Sequence, residues 1–339
     1  MFYDLSLGSR IVLSLFDMSD VNSQISNTPL APFAKGGLWP HRLAVVLGCA
    51  TFPLLFIGGL VTSKGAGLAV PDWPTTFGYN MFLYPWPEMV GNILYEHSHR
   101  LVASCVGLLT IALAVALWFG ERRTWLRWLG VTAVLVVTAQ GILGGLRVVL
   151  LQNTLAILHA CLAQAFFALT VGLALFTSRE WAGEPPQAPI TDSGRLWRLG
   201  AITTGLIYLQ VIFGAVLRHT GERLDAHLFV AGLVALHVTL LVWRVTKYHA
   251  ARLKLVRLAG SLGILLLVQL LLGVGSYFAK FITLLRLPMD MVVFLTTTHL
   301  IVGALMLVTS LALTLHSYRL SERTKPALRP NPLKEEFST

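Results

Sequence analysis

The stretch NILYEHSHRLVAS, residues 92–104, places several charged and titratable groups at the mouth of an apolar segment. A glutamate, two histidines and an arginine lie between Glu96 and Arg100, and the apolar run from Leu101 to Phe119 follows at once. Glu96 lies three residues before His99 and therefore on the same helical face. Imidazole inside a membrane helix is costly and usually marks function. The stretch therefore predicts a membrane helix with a site at its mouth.

The whole chain is typical of a polytopic membrane protein. Of its 339 residues, 55% are hydrophobic and 12% are charged, whereas soluble domains carry about a quarter charged residues. About 20 apolar residues are enough to cross a bilayer as a helix. We therefore predict an all-α membrane protein with eight transmembrane helices, at 43–62, 97–119, 129–149, 155–177, 199–217, 227–245, 258–279 and 292–315.

The basic residues predict the orientation of these helices. Cytoplasmic loops are enriched in Lys and Arg, and only seven of the 26 basic residues fall on the other side: Lys64, Arg100, Arg147, Arg218, Arg223, Lys280 and Arg286. Both termini are therefore expected in the cytoplasm, with the protein in the cell membrane, the inner membrane of a bacterium. Topology accounts for most of the net charge of +10, and no nucleic-acid partner is expected.

An internal repeat divides the helices into two groups of four. GGLVTSKG (58–65) matches GAVLRHTG (214–221), and QGILGG (140–145) matches QLLLGVG (269–275). The pattern predicts two tandem four-helix bundles of the same orientation. The expected divisions are a cytoplasmic segment 1–41, a first unit 42–178, a cytoplasmic linker 179–198, a second unit 199–317 and a cytoplasmic tail 318–339. The loop 63–92, rich in Trp and Pro, is expected to form an ordered interfacial cap.

Four histidines occupy matching places in the even-numbered helices. His99 and His159 belong to the first unit, and His227 and His299 to the second. Two histidines from facing helices of a bundle can bind a haem iron at both axial positions. Zinc is disfavoured because clustered carboxylates and thiolates are absent from the pattern. We predict one haem iron in each unit, with His237, ten residues deeper than His227, as the alternative ligand.

The two predicted sites differ in charge. At the offset of 128 residues that relates the second helices of the units, Glu96 corresponds to Leu224 and Arg100 to Leu228. A carboxylate beside a haem can accept a proton or stabilise positive charge. This asymmetry favours catalysis by Glu96 in the first unit and electron transfer in the second. The candidates for pairing with haem propionates, with snorkelling at the interface as the alternative, are Arg100, Arg147, Arg218 and Lys64.

These residues resemble the haem A synthase family, which converts haem O to haem A for terminal oxidases. The resemblance is carried by GGLVTSKGAGLAVPDWP (58–74), EHSHR (96–100), QGILGG, His159, QVIFGAVLRHTG (210–221) and His299. It implies a haem O substrate in the first unit and a haem b cofactor in the second. Oxidation of a haem O methyl group to a formyl group, through a hydroxymethyl intermediate, is the expected reaction. Some family members carry a cysteine pair in the first outer loop, which this sequence lacks.

The expected partners follow from the same resemblance: the lipid bilayer, haem O synthase as the source of substrate, an unidentified electron acceptor and assembly factors of a terminal oxidase. Two other interpretations remain open at this point. One is a di-haem electron-transfer protein of the cytochrome b561 kind, which accounts for four histidines but not for Glu96. The other is a haem transporter or chaperone. The pigment bound to the protein would distinguish all three.

Overall fold

The computed structural model describes residues 39–183, 192–282, 284 and 286–321. Most of the predicted cytoplasmic tail, most of the N-terminal segment and part of the linker lie outside these residues. The described chain contains eight long helices, which we label α1 to α8: Trp39–Ser63, Gly91–Gly120, Thr124–Leu150, Asn153–Thr177, Ser193–Thr220, Leu224–Tyr248, Leu253–Phe281 and Met289–Ser321. Each is long and apolar enough to cross a membrane. The eight predicted helices are confirmed, and the protein is a multi-pass membrane protein.

The helices extend beyond the apolar runs that predicted them. Three ends differ by six residues: α2 begins at Gly91 rather than at 97, α5 at Ser193 rather than at 199, and α8 ends at Ser321 rather than at 315. Hydropathy detects only the apolar part of a helix, whereas backbone hydrogen bonding continues through polar turns. The charged cluster from Glu96 to Arg100 is therefore entirely helical.

The helices contact one another in two rings. In the first, α1 contacts α2, α2 contacts α3, α3 contacts α4 and α4 contacts α1; α5 to α8 repeat the same cycle. The rings meet through the pairs α1–α8, α4–α5 and α4–α8. These contacts are consistent with two tandem four-helix bundles, which we call the first unit (α1–α4) and the second unit (α5–α8).

The centre of the molecule lies at α4 and α8. Within the apolar windows of the helices, 61% of α8 and 50% of α4 is buried, against 17% of α3. One hydrophobic cluster fills the first unit, and a larger one extends from the second unit to Phe167 and Val171 of α4. The two units therefore share a packed core rather than touching at their rims.

The segments that connect the helices at one end of the bundle differ greatly in length. Residues 151–152 join α3 to α4 and residues 221–223 join α5 to α6, whereas residues 64–90 join α1 to α2. Gly65 and Gly221, which follow the ends of α1 and α5, both have positive φ, +66° and +77°, so the repeat is also visible in the backbone. We call segment 64–90 the long loop, and its side of the bundle the long-loop end.

Candidate functional site

Arg100 fastens the long loop to α2. Its guanidinium donates hydrogen bonds to the backbone oxygens of Asp72 (2.7 Å), Thr75 (3.0 Å) and Val70 (3.1 Å). A fourth bond, of 2.8 Å, reaches Oε1 of Glu96 one turn earlier. Arginine suits this task because its five donors form a fixed fork. The long loop is therefore an ordered cap, as the sequence predicts.

Glu96 lies beneath this cap with only 3% of its surface exposed. Its Oε1 pairs with Arg100, and its Oε2 accepts a 2.9 Å bond from the backbone N–H of Val70. Glu96 lies in the second turn of α2, whose cap residue is Val90. Its carboxylate therefore contacts the long loop and Arg100 rather than the first N–H groups of the helix.

Asp72 organises the turn that Arg100 holds. Its carboxylate accepts hydrogen bonds from Thr75 Oγ1 and from the backbone N–H groups of Phe77 and Gly78. Partial burial raises the pKa of Asp72, but these hydrogen bonds outweigh it and hold the pKa below its ordinary value. The turn is thus built around an ionised carboxylate.

His97 also belongs to the cap. Its Nδ1 lies 3.2 Å from Thr76 Oγ1, and its ring packs on Tyr84 at 5.2 Å. Trp73 completes the closure, because its indole occupies the space that a side chain at Gly145 of α3 would need. From the sequence, His97 had no predicted role beyond that of a neighbour to His99; its contacts show that it helps to hold the long loop.

Each of the four predicted ligand histidines faces a glycine on the preceding helix. A Cβ added to Gly58 would lie 3.1 Å from Cε1 of His99, and one added to Gly144 would lie 3.0 Å from Cε1 of His159. The corresponding distances in the second unit are 3.3 Å for Gly214 and His227, and 3.2 Å for Gly273 and His299. We call these the histidine–glycine pairs. Four repetitions of one contact indicate that each imidazole is placed by the backbone of its neighbour.

Glutamines four residues before three of these glycines also contact the histidines. Gln140 donates from Nε2 to the backbone oxygen of His159 (2.9 Å), and its own backbone oxygen lies 3.1 Å from His159 Nδ1. Gln210 Nε2 lies 3.1 Å from His227 Nδ1, and Gln269 Nε2 lies 3.4 Å from His299 Nε2. Position 54 of α1 is leucine instead.

The second unit brings its two predicted ligands together. The rings of His227 and His299 have centroids 6.3 Å apart. An imidazole nitrogen binds a first-row metal ion at about 2.0 Å, so two such bonds on opposite sides of one ion separate the ring centroids by about 6 Å. His237, the alternative, directs Nδ1 at the backbone oxygen of Leu233 on its own helix, at 2.9 Å. Among the described glycines, none offers His237 a notch, the space left by a missing Cβ, such as each histidine–glycine pair has.

The donor set fits an iron that is already held by a porphyrin. Within the described residues, no group of three or more His, Cys, Asp or Glu side chains could hold a metal ion alone. In the first unit, His99 is close enough to His159, Arg147 and Arg100 for electrostatic interaction. Two imidazoles per unit satisfy a haem iron, which needs only its axial ligands from the protein.

The four predicted propionate partners are not equally available. Arg218 donates to the backbone oxygens of Gly59 (2.8 Å) and Thr296 (3.2 Å) and to Ser63 Oγ (2.7 Å), and so joins the two units. Lys64 lies 3.6 Å from Asp290 and over the ring of Tyr95. Arg100 holds the long loop.

Arg147 is the remaining candidate. Its guanidinium lies against Gly67 of the long loop, and it makes no side-chain hydrogen bond with the part of the chain that the structure describes. It is close enough to Glu96, His159 and His219 to interact electrostatically. His219 is a residue that the sequence analysis missed: it belongs to the second unit yet lies near a histidine of the first. Its place beside Arg218 in the repeat motif was the available signal.

Fold and site together define a class: multi-pass helical membrane proteins with a histidine pair in each of two repeated four-helix units. The sequence profile of the COX15-CtaA family, described as cytochrome oxidase assembly protein, matches residues 41–227, which is more than half of the chain. The protein belongs to this family.

Curated relatives agree with this assignment. A protein of Shouchella clausii named heme A synthase is 28% identical over 298 residues, covering 76% of this chain and 97% of the relative. A heme A synthase of Halalkalibacterium halodurans is 29% identical over 249 residues, 62% of this chain and 80% of the relative. A third, of Bacillus pumilus, is 30% identical over 200 residues, 56% of this chain and 62% of the relative.

Proposed function

We propose that this protein is a haem A synthase, an oxidoreductase that converts the methyl group of haem O to the formyl group of haem A. The family and the names of the relatives support this activity. The observation that carries it is an asymmetry between two otherwise matching sites. Both units have histidine–glycine pairs, but among the described residues only the first has a buried carboxylate, Glu96, and a covering loop.

In this proposal His99 and His159 hold the iron of the substrate haem O, and His227 and His299 hold a haem b cofactor. The spacing of the second pair and the shared glycine contacts support these roles. A haem b held by these two histidines would supply one-electron redox chemistry. Arg147 is the best placed of the four cations for a propionate of the substrate, because its guanidinium has no competing hydrogen bond from the described residues.

The reaction removes four electrons from the substrate in two stages. Conversion of the methyl group to hydroxymethyl takes an oxygen atom from water and releases two protons and two electrons. Conversion of hydroxymethyl to formyl releases two more of each. With His99 and His159 on both axial positions, the substrate iron has no open position for oxygen. Water attack on an electron-poor methyl carbon therefore fits this ligand set, and the electrons pass to a separate acceptor.

Glu96 serves this chemistry as a fixed negative charge and as a proton acceptor beside the substrate. Its ion pair with Arg100 and its bond from Val70 hold the carboxylate in one orientation. Preorganised groups of this kind stabilise developing positive charge without reorganisation. The long loop limits the access of bulk water to the site. A di-haem electron carrier would need neither feature at one haem alone, so the asymmetry favours an enzyme.

The protein is further proposed to lie in the bacterial cell membrane with the long-loop end outward and both termini in the cytoplasm. The distribution of basic residues supports this orientation. Its substrate would come from haem O synthase within the bilayer, and its product would go to the assembly factors of a terminal oxidase.

Extraction of pigments tests the proposed activity. The protein would be expressed with a haem O synthase in a host that makes no haem A, and haems would be separated and identified by mass. Haem A, or a hydroxymethyl derivative of haem O, is the expected product. If only haem O and haem b are recovered while both histidine pairs bind haem, the protein is an electron carrier rather than a synthase.

A further inference from the structure

Three of the four histidine–glycine pairs carry a third member, a glutamine. Counting back four residues from Gly144, Gly214 and Gly273 gives Gln140, Gln210 and Gln269, and counting back from Gly58 gives Leu54. Residues four apart lie on one face of a helix. The glycine therefore admits the imidazole, and the glutamine lies one turn away on the same face. Only His99 faces leucine at that place.

The glutamine contacts act on the atoms that decide how an imidazole binds a metal. His159 Nδ1 lies 3.1 Å from the backbone oxygen of Gln140, so its N–H is directed there and Nε2 is left for iron. A metal-bound histidine normally donates its other N–H to such an acceptor, which fixes both tautomer and ring orientation. Gln140 reinforces the contact with its side-chain bond to His159 O.

In the second unit the side-chain amides of Gln210 and Gln269 contact the ring nitrogens of the histidines directly. The Oε1 atoms of Gln210 and Gln269 are buried and have no hydrogen-bond partner among the described residues. Amide N and O occupy nearly equivalent positions, and a half-turn of the Gln210 amide places Oε1 where Nε2 now lies 3.1 Å from His227 Nδ1. This exchange gives the orphan oxygen a donor. The same amide position also lies 3.2 Å from His227 Nε2, so Nε2 is left for iron when the ring proton is on Nδ1.

His99 has none of this support. Its Nδ1 is buried and has no hydrogen-bond partner in the described part of the chain. His299 Nδ1 also has none there, but the amide of Gln269 lies 3.4 Å from the other ring nitrogen of His299. Leu54 packs with the hydrophobic cluster of the first unit and offers no side-chain acceptor. Of the four histidines, His99 alone has neither an acceptor for its second N–H nor an amide in contact within the described residues, and such an imidazole is a less basic and less firmly oriented ligand.

We propose that Gln140, Gln210 and Gln269 are positioning residues for His159, His227 and His299, and that Leu54 leaves His99 as the exchangeable ligand of the haem in the first unit. This inference rests on the proposed function, because a substrate haem must enter and its product must leave, whereas a cofactor haem stays. The iron–His99 bond is the one that breaks and re-forms in exchange; no electron is transferred in that step.

The test introduces the missing amide. Leu54→Gln is compared with the unchanged protein and with Leu54→Met, which has a similar length and no amide. Haem-loaded protein in detergent is mixed with excess apomyoglobin as haem acceptor, and each released haem is identified by mass. Outer partners of metal ligands change metal affinity by about 10–100-fold. We expect Leu54→Gln to slow release of the first-unit haem to that extent and Leu54→Met to leave it unchanged.

A second measurement reports on ligation directly. Carbon monoxide binds ferrous haem only when an axial ligand leaves, so its association with the first-unit haem should slow by the same factor in Leu54→Gln. If release and carbon monoxide binding are the same in all three proteins, the inference is wrong. Should Leu54→Gln fail to fold, Gln210→Leu must accelerate release of haem b, and an unchanged rate there overturns the inference equally.

These outcomes are separable from failure of the proposed function. Haem release is measured without turnover. If the protein makes no haem A but Leu54→Gln still slows release, the proposed activity is wrong and the inference about His99 stands. If the protein makes haem A but the substitutions at position 54 do not change the rate of haem release, the proposed function stands and this inference is wrong.

Discussion

The two units share the same arrangement of four helices but differ in the segments that connect the helices at the long-loop end. In the first unit, the 64–90 segment folds over the mouth of α2 and is held by Arg100 and Glu96. In the second, residues 221–223 join the helices, and the matching positions are Leu224 and Leu228. The histidine–glycine pairs are the same in both. The comparison teaches that the repeated helices place a matching histidine pair in each unit. On the proposed function, the charge and the covering loop at one end distinguish the substrate site from the site of an electron-transfer cofactor.

The largest expected effect comes from a substitution that disrupts the haem site of the second unit and leaves that of the first unit intact. His227→Ala should abolish nearly all low-spin haem b, because the iron loses an axial ligand from the pair whose ring centroids lie 6.3 Å apart. Electron paramagnetic resonance of the purified protein measures this. His237→Ala is the matched control on the same helix and should retain the signal. The opposite pattern would make His237 the ligand and break the correspondence between the units.

The next prediction removes the carboxylate that distinguishes the first unit from the second. Glu96→Gln should lower the rate of haem A formation by about 10²–10³-fold, the usual cost of removing one preorganised electrostatic group. Both haems should remain bound, as judged by the optical spectrum. Haem O, or its hydroxymethyl derivative, should accumulate.

Arg100→Gln is the control that separates chemistry from loop anchoring. It loosens the long loop while keeping the Glu96 carboxylate. If Glu96 acts only by holding Arg100, the two variants should lose activity equally. A larger loss in Glu96→Gln is expected, and a normal rate in that variant would remove Glu96 from the chemistry.

A smaller effect concerns the notches that both units share. Gly144→Ala places a Cβ 3.0 Å from Cε1 of His159, so the ring must shift and haem affinity should fall, by about tenfold if the shift costs about 1.4 kcal/mol. Gly141→Ala, on the same helix with no atom within 4 Å of its Cβ, is the control. It should leave haem binding unchanged and stabilise α3 by up to about 1 kcal/mol. Equal haem titrations for both variants would show that the notch is not needed.

The smallest effect concerns the long loop alone. Because hydrogen bonds hold the pKa of Asp72 below its ordinary value of 3.8, its ionised form stabilises the loop above that value. The stabilisation is lost as pH falls through the depressed pKa. Pepsin cleavage within 64–90 should therefore rise at the acid end of a pH series. In Asp72→Asn this rise should be absent, and identical pH profiles for the two proteins would contradict the assignment.

The sequence predicted the features that hydropathy and spacing encode, and missed those that depend on backbone acceptors. Eight helices follow from apolar length, and the four histidines from a repeat that places Gly58 and Gly214 in register. The anchoring role of Arg100 could not be predicted, because its partners are mainly carbonyl groups, which every residue carries.

The glutamine contacts were missed for a related reason. The Gln-x-x-x-Gly spacing is visible in the sequence, but which neighbouring side chain it meets depends on how two helices pack. The early start of α2 was missed for another reason: polar residues such as Asn92 and Glu96 lower the hydropathy of a turn without preventing it from being helical. Ligation by the four histidines stays a prediction until the haem is measured.

The depth of the histidine–glycine pairs has an electrical consequence. Gly58, Gly144, Gly214 and Gly273 lie five, six, six and eight residues before the last residues of their helices, so all four notches are about 8–12 Å from those ends at 1.5 Å per residue. An electron that passes from one unit to the other then travels parallel to the membrane plane. Only movement across the bilayer performs work against the membrane potential, about 2.3 kcal/mol per charge for each 100 mV. On the proposed function, electron transfer between the haems is insensitive to voltage, and an imposed potential that altered its rate in sealed vesicles would refute that conclusion.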